Sequence, residues 1–318
     1  MKTAALLAPA LAVLLLAGCT SAPAELDAPA KAVKIDNCGF ALTVDSPPKR
    51  IVTVKSTSTE LLLALGLGDR IIGTAFPDGP IPASLDAPTI PVISDFQPSE
   101  EAVLDLDPDF VFAGWESNLT ADAAGDRADL GALGVGTYVS PSACKEEAYK
   151  PKRLTFDNVF SYITEAGAVF GAEDAAATLV KTQKSQLAKI PTSTEGLTAL
   201  WWSSGTDTPY VGAGIGAPEM MLRQLGIKNI AGDIDDTWSS FNWEAVIDAD
   251  PDVIVLVDAS WNTAESKKAY LASNPATANM SAVKNQRYLV IPFAAGEAGV
   301  RNVEATADLA TQLEALGK

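Results

Sequence analysis

"EAVLDLDPDFVFAG", Glu101–Gly114, and "EAVIDADPDVIVLV", Glu244–Val257, are two versions of one phrase. Glu, Ala, Val, Asp, Asp, Pro and Asp hold the same places in both, and most other positions exchange one apolar residue for another. In the first copy the pattern reads as a helix over 99–106 and a strand over 110–113. Pro108 divides them because proline cannot continue a helix. The copies start 143 positions apart, at 101 and 244. Solenoid repeats recur every 20–50 residues or so. The expectation is therefore two similar lobes, each with one copy.

The flanking sequence supports that plan. "RIVTV" (Arg50–Val54) is a short apolar strand, and "TELLLALGLG" a helix with Thr59 as its expected N-cap. "IIGTA" is the next strand, and "ADLGALGV" and "TYVS" add one more helix and strand. In the second half "LTALWWSS" is a strand and "PEMMLRQLG" a helix, then come the second copy of the phrase, the strand "YLVIP" and a closing helix from Arg301 to Leu316. Strands alternating with helices imply parallel pairing with crossovers, the α/β class. Between the halves lies a helical stretch broken at Gly171 and stopped at Pro191, which reads as a stiff connector. The boundaries expected are a leader over 1–18, a tether over 19–34, an N-terminal lobe over 35–154, connecting helices over 155–191 and a C-terminal lobe over 192–318.

A chain of 318 residues with 47% hydrophobic and 20% charged residues has room for two ordinary cores. Its formal charge of −17 repels phosphate backbones and anionic lipid head groups, so nucleic acid is not expected as a partner. There is no histidine. That absence removes Ser-His-Asp and Cys-His catalysis, imidazole-based metal sites and haem ligation through imidazole.

The first residues have the form of an export signal: Lys2, an apolar run over 4–16, and then Leu16-Ala17-Gly18-Cys19, which resembles the lipobox of bacterial lipoproteins. On that resemblance the chain is cut before Cys19, which carries a lipid. An Ala/Pro-rich tether then holds the folded part on the outer face of the cell membrane. Of the remaining cysteines, Cys38 and Cys144 are expected to pair outside the cytoplasm, with two buried free thiols as the alternative.

Chemistry-bearing stretches are few. Gly212, Gly214 and Ala217 match the dinucleotide pattern G-x-G-x-x-G/A, but the preceding strand is short and proline-led. A tight turn aiming helix N–H groups at a ligand fits that context better. "DIDD" (Asp233–Asp236) lacks the spacing of a calcium loop, and no metal site is expected. Trp115 and Trp261 follow the two repeated strands, and Ser56, Thr57 and Ser58 follow the first strand of the N-terminal half. In open α/β sheets ligands sit beyond the carboxyl ends of strands, so these residues should face the gap between lobes. Of the other tryptophans, Trp201 and Trp243 are candidates for plain core packing. An exported enzyme with Glu116 or Glu297 as acid and base is the rival reading of the cleft.

"RIVTVKSTSTELLLALGLGDRIIGT", the paired E-A-V-x-D-x-D-P-D stretches, the connector and "GVRNVEATADLATQL" resemble the binding proteins of ABC importers for siderophores, haem and vitamin B12. That resemblance implies two α/β lobes joined by one long helix, a ligand cleft between them, no catalysis and no cofactor. It also implies a monomer partnered by a two-fold pair of permease subunits with a cytoplasmic ATPase. The family carries one surface glutamate on each lobe that pairs with permease arginines; by motif these are Glu101 and Glu244. "FAGWESNLTADAAGDRADL", "SACKEEAYKP", "LWWSSGTDTPYVGAGIGAPEMML" and "DDTWSSFNWEAV" resemble an actinobacterial branch for which the deazaflavin precursor coenzyme F420-0 is the proposed cargo. For such a ring Trp115, Trp202, Tyr210, Trp238 and Trp261 are the candidate shelf. Arg301, Lys55, the turn over 56–59 and the turn over 212–216 are candidates for its anionic groups. Siderophore and corrinoid cargo are the alternatives.

Overall fold

A computed structural model describes residues 32–317. The expected leader, the expected lipidation site Cys19 and the first part of the expected tether lie outside the described residues. The first element is one that the sequence did not announce: a hairpin of β1 (Val33–Asn37) and β2 (Phe40–Val44). Its two-residue turn, Cys38 and Gly39, has φ of 56° and 80°, the left-handed pair that a tight hairpin demands. Val33 and Lys34, which composition assigned to the tether, belong to β1, where Val33 and Ile35 are held against β2.

The N-terminal lobe is built on five parallel strands, β3 (Ile51–Val54), β4 (Ile71–Ala75), β5 (Val92–Ser94), β6 (Phe110–Ala113) and β7 (Gly136–Val139), in the order β5-β4-β3-β6-β7. The C-terminal lobe holds β8 (Thr198–Ser204), β9 (Tyr210–Gly212), β10 (Lys228–Asn229), β11 (Trp238–Ser240), β12 (Val253–Asp258) and β13 (Tyr288–Pro292), in the order β11-β9-β8-β12-β13, with β10 pairing the start of β8. β8, β12 and β13 run parallel, whereas β9 and β11 are antiparallel additions. The helices are α1 (Ser56–Ala64), α2 (Glu100–Leu104), α3 (Arg127–Ala132), α4 (Phe156–Phe170), α5 (Glu173–Leu187), α6 (Ala217–Gln224), α7 (Trp243–Ala249), α8 (Ala264–Ser273), α9 (Ser281–Lys284), α10 (Phe293–Gly296) and α11 (Asn302–Ala315).

The repeated phrase builds equivalent parts of the two lobes. Ser99 and Asn242 cap α2 and α7 through their side chains. Asp107 and Asp250, each before its proline, adopt φ of 50° and 38° and turn the chain out of the helix. Asp109 then accepts the amides of Lys49 and Arg50 at the entry to β3. Asp252 does the same work at β8, accepting from Thr198 N and Thr198 Oγ1 at 2.9 Å each. β6 and β12 thus run beside the first strand of each lobe.

Alternation along the strands sorts the core into layers. Ile51, Phe110, Phe112, Trp201, Val253, Val255 and Leu289 share one continuous core with α4, α5, α6 and α11, and this core spans both lobes. Val52, Val54 and Val111 face a separate cluster in the N-terminal lobe, and Leu200, Trp202, Ile254 and Leu256 another in the C-terminal lobe. The connector is not one rod. Gly171 is left-handed at φ 64°, and α4 and α5 pack together closely enough that a Cβ on Gly167 would lie 2.5 Å from that of Ala176. Fixed spacing between the lobes therefore comes from a helix pair embedded in the shared core. Thr59 also departs from expectation. It lies inside α1, and its hydroxyl joins those of Thr53 (2.7 Å) and Thr74 (2.9 Å) under the helix instead of capping it.

Candidate functional site

In the N-terminal sheet the strand order reverses between β3 and β6, the switch point at which open α/β sheets bind ligands. The segments leaving those strands, Thr57 after β3 and Gly114 and Trp115 after β6, line a cleft of about 510 Å3. Its remaining N-terminal wall is Ser117 and the stretch after β7: Ser142, Ala143, Cys144, Lys145, Lys150 and Pro151. The facing wall comes from the C-terminal lobe: Ser203 near the end of β8, Tyr210 and Trp238 on β9 and β11, residues 215–217 at the start of α6, and Phe293, Gly296 and Glu297 after β13. A cleft of this size is in the usual range for a small-molecule site.

Its aromatic groups are ordered. Tyr210 and Trp238 sit on paired strands with ring planes 14° apart and centroids at 6.3 Å. Trp115 Nε1 donates to Glu297 Oε2 across the lobes at 3.1 Å. Burial holds the Glu297 carboxyl above its ordinary range, with the Trp115 hydrogen bond opposing part of that shift. The walls differ in charge: Lys145 and Lys150 on the N-terminal side, Asp236 and Glu297 on the C-terminal side.

Beside the cleft, Lys55 is 1% exposed with φ 80°, the left-handed turn that carries β3 into α1. Its Nζ pairs with Asp78 and lies 4.0 Å, 3.7 Å and 5.3 Å from the ring centroids of Phe76, Trp115 and Phe293. Burial lowers the Lys55 pKa and raises that of Asp78, and their contact offsets part of both shifts. A second ion pair, this one across the lobes, joins Arg301 to Glu60 at 3.4 Å. Burial pushes the Glu60 carboxyl up to about 7, against the opposing pull of Arg301.

Of the expected ligand residues, Thr57, Trp115, Tyr210 and Trp238 line the cleft together. Ser56 and Ser58 do not: Ser56 Oγ accepts Asp78 N, and Ser58 Oγ donates to the carbonyls of Val54 and Lys55. Trp202 lies on the outer face of its sheet, edge-on to Trp243 at 5.1 Å, with Nε1 donating to Ser204 O. Its neighbour Trp201 takes the inner core. Trp261 is 60% exposed, packed edge-on against Phe293 at 5.4 Å and outside the lining. Arg301 and Lys55 are occupied by Glu60 and Asp78, so neither offers the cleft a free cation.

The glycine-rich turn is also committed. The amides of Ala213, Gly214 and Ile215 donate to Thr237, Ile234 and Asp236 carbonyls, and a Cβ on Gly214 would lie 2.2 Å from Gly232 O. Those glycines allow one backbone to cross another and the amides of residues 213–215 are spent there, while Gly216 and Ala217 at the start of α6 line the cleft. Glu116 accepts the amide of Lys145 at 2.6 Å, so it and Glu297 each hold part of the site in place. Among the described residues no group of three or more His, Cys, Asp or Glu is placed to hold a metal ion. Lys145, Lys150 and Phe293 were missed by sequence reasoning. The lysines sit in an irregular stretch, and only the Cys38–Cys144 pairing hinted at where that stretch goes.

Residues 51–295 match the periplasmic binding protein family. The uncharacterized ABC transporter substrate-binding lipoprotein YvrC of Bacillus subtilis is 28% identical, with 95% of this chain and 94% of that protein covered. A cobalamin-binding protein of Halobacterium salinarum is 26% identical over 235 residues, 69% of this chain and 57% of that protein. The crystal structure of a periplasmic binding protein from Veillonella parvula superposes with a TM-score of 0.79 at 24% identity, covering 89% of this chain and 98% of that one.

Proposed function

We propose that this chain, which belongs to the periplasmic binding protein family, is a lipid-anchored receptor on the outer face of the cell membrane. It delivers a planar, anionic cargo to an ABC importer, and the deazaflavin precursor coenzyme F420-0 is the cargo that fits best. The family's members are transport binding proteins, so substrate capture and hand-over to permease subunits with their ATPase is the activity to be explained. Cys19 would carry the lipid.

One observation carries the cargo reading: the cleft combines an aromatic shelf with two lysines on a chain of strongly negative charge. Tyr210, Trp238 and Trp115 offer faces and edges against which a fused ring can stack. Lys145 and Lys150 offer the cations that the phosphate and carboxylate of such a cargo require. A net charge of −17 would by itself repel an anion, and the two lysines make the wall locally attractive. The absence of histidine disfavours haem held through imidazole.

The test is a calorimetric titration of protein beginning after Cys19 with coenzyme F420-0, vitamin B12 and a set of ferric siderophores. Saturable sub-micromolar binding of the deazaflavin alone is expected. A response only to a corrinoid, as in the Halobacterium relative, or only to a siderophore would replace the cargo and keep the importer reading.

A further inference from the structure

The hairpin at the start of the described chain belongs to neither sheet, yet it is fixed with unusual care. Asn37 is 1% exposed and bonds both ways with the edge strand β7, donating to Val139 O and accepting from Val139 N. Arg127 lies beneath, donating to Asn37 O and Asn37 Oδ1 and to the Thr137 hydroxyl, with Phe40 over its guanidinium at 4.4 Å. The turn that follows is then a rigid bracket. From it Cys38 is bonded to Cys144, with Cα atoms 5.2 Å apart. Beside it Asp36 accepts the Tyr149 hydroxyl at 2.7 Å, and the tip at Gly39 packs so closely that a Cβ there would lie 3.0 Å from Glu146 and 3.2 Å from Tyr149.

Everything the bracket grips lies in one stretch, residues 140–151. Apart from a single 3-10 turn at Pro141–Ala143 this stretch has no regular structure. It also carries Lys145 and Lys150 on the cleft wall. Cys144 precedes Lys145, and Tyr149 precedes Lys150, so each anchor sits next to one of the cations.

We propose that the hairpin is a brace for the cationic wall of the cleft: Cys38, Cys144, Asp36 and Tyr149 are positioning residues that hold Lys145 and Lys150 where cargo meets them. The brace rests on the cleft's being the cargo site, but its mechanical part does not depend on which cargo binds. An unbraced irregular stretch samples many conformations, so the lysines would meet an anion only in a fraction of them, and apparent affinity falls by that fraction. Opening the disulfide by a reductant would have the same effect as removing it.

The experiment has two readouts on wild type, on Cys38→Ser/Cys144→Ser, on Tyr149→Phe and on wild type treated with a thiol reductant. Hydrogen exchange without cargo is expected to accelerate about tenfold or more over residues 140–151 in the disulfide-free protein, with β3 and β6 unchanged; equal exchange over 140–151 overturns the brace. The second readout is affinity for coenzyme F420-0, with Lys145→Ala/Lys150→Ala combined with each background. The lysine pair is expected to weaken binding about tenfold or more in wild type and less than about threefold in the disulfide-free protein, because displaced lysines no longer contribute. Equal losses in both backgrounds would overturn the positioning role. No binding of coenzyme F420-0 by wild type would retire that cargo, and the exchange data would still decide the brace. If the double serine variant fails to fold, Tyr149→Phe and the reduced wild type decide it on the same criteria.

Discussion

Cells carrying Glu101→Arg and Glu244→Arg together are expected to lose uptake to background, while the purified variant binds cargo within about twofold of wild type. Both glutamates are exposed, each stands in the first turn of a short helix, and neither lines the cleft. They occupy the same place in the two copies of the phrase, and so in two similar lobes. Docking on a two-fold pair of permease subunits, as proposed for this chain, would use two like charges on two like surfaces. Charge at the rim of such an interface governs encounter and register, and reversing both members juxtaposes like charges at both ends. The local cost is small, about 0.3–1 kcal/mol for each helix start that loses an acid. Each single reversal should leave partial uptake. Loss of affinity along with uptake would sink the docking assignment.

Lys55→Met is expected to destabilise the protein by roughly 3–5 kcal/mol, the usual cost of leaving one member of a buried ion pair alone. Asp78 is 4% exposed, and after the change its carboxylate would keep only the Ser56 amide at 3.2 Å as a hydrogen-bond donor. The ammonium also sits among Phe76, Trp115 and Phe293, so its removal takes away a cation–π contact between the two lobes beside the cleft. Pairing Lys55→Met with Asp78→Asn should recover much of the loss, because the stranded charge is then gone. Urea unfolding of the three proteins checks this. A single-variant cost under about 1 kcal/mol would mean that the pair is not desolvated as the structure has it.

The parts of the fold that local pattern controls were legible in the sequence. The repeated phrase gave β6 and β12 and hence the two lobes, since an apolar run after Asp-Pro needs no distant partner to be recognised. Adjacent residues with opposite fates were not legible. Trp201 and Trp202 must face opposite sides of β8, but which one reaches the cleft depends on the far side of the sheet, and neither is in its lining. Arg301 and Lys55 looked like free cations because their partners, Glu60 and Asp78, lie 241 and 23 residues away. The basic wall was hidden for the converse reason: Lys145 and Lys150 sit in a stretch without periodicity, brought to the cleft by a hairpin more than 100 residues earlier. The glycines of the turn over 212–216 suggested an anion site, and at Gly214 and Gly216 they also serve a backbone crossing that no local motif encodes.

Capture of cargo between the lobes on the Tyr210–Trp238 shelf underlies the whole proposed function. It is tested most directly by titrating wild type and Trp238→Ala with coenzyme F420-0, reading both indole fluorescence and heat. Trp238 is half-exposed on the cleft wall and nearly parallel to Tyr210, and stacking of a ring on one aromatic side chain is worth about 1–3 kcal/mol. Strong quenching is expected in wild type, with an affinity about tenfold or more weaker in Trp238→Ala. Saturable binding of equal strength in the two proteins would place the cargo elsewhere and contradict capture on the shelf.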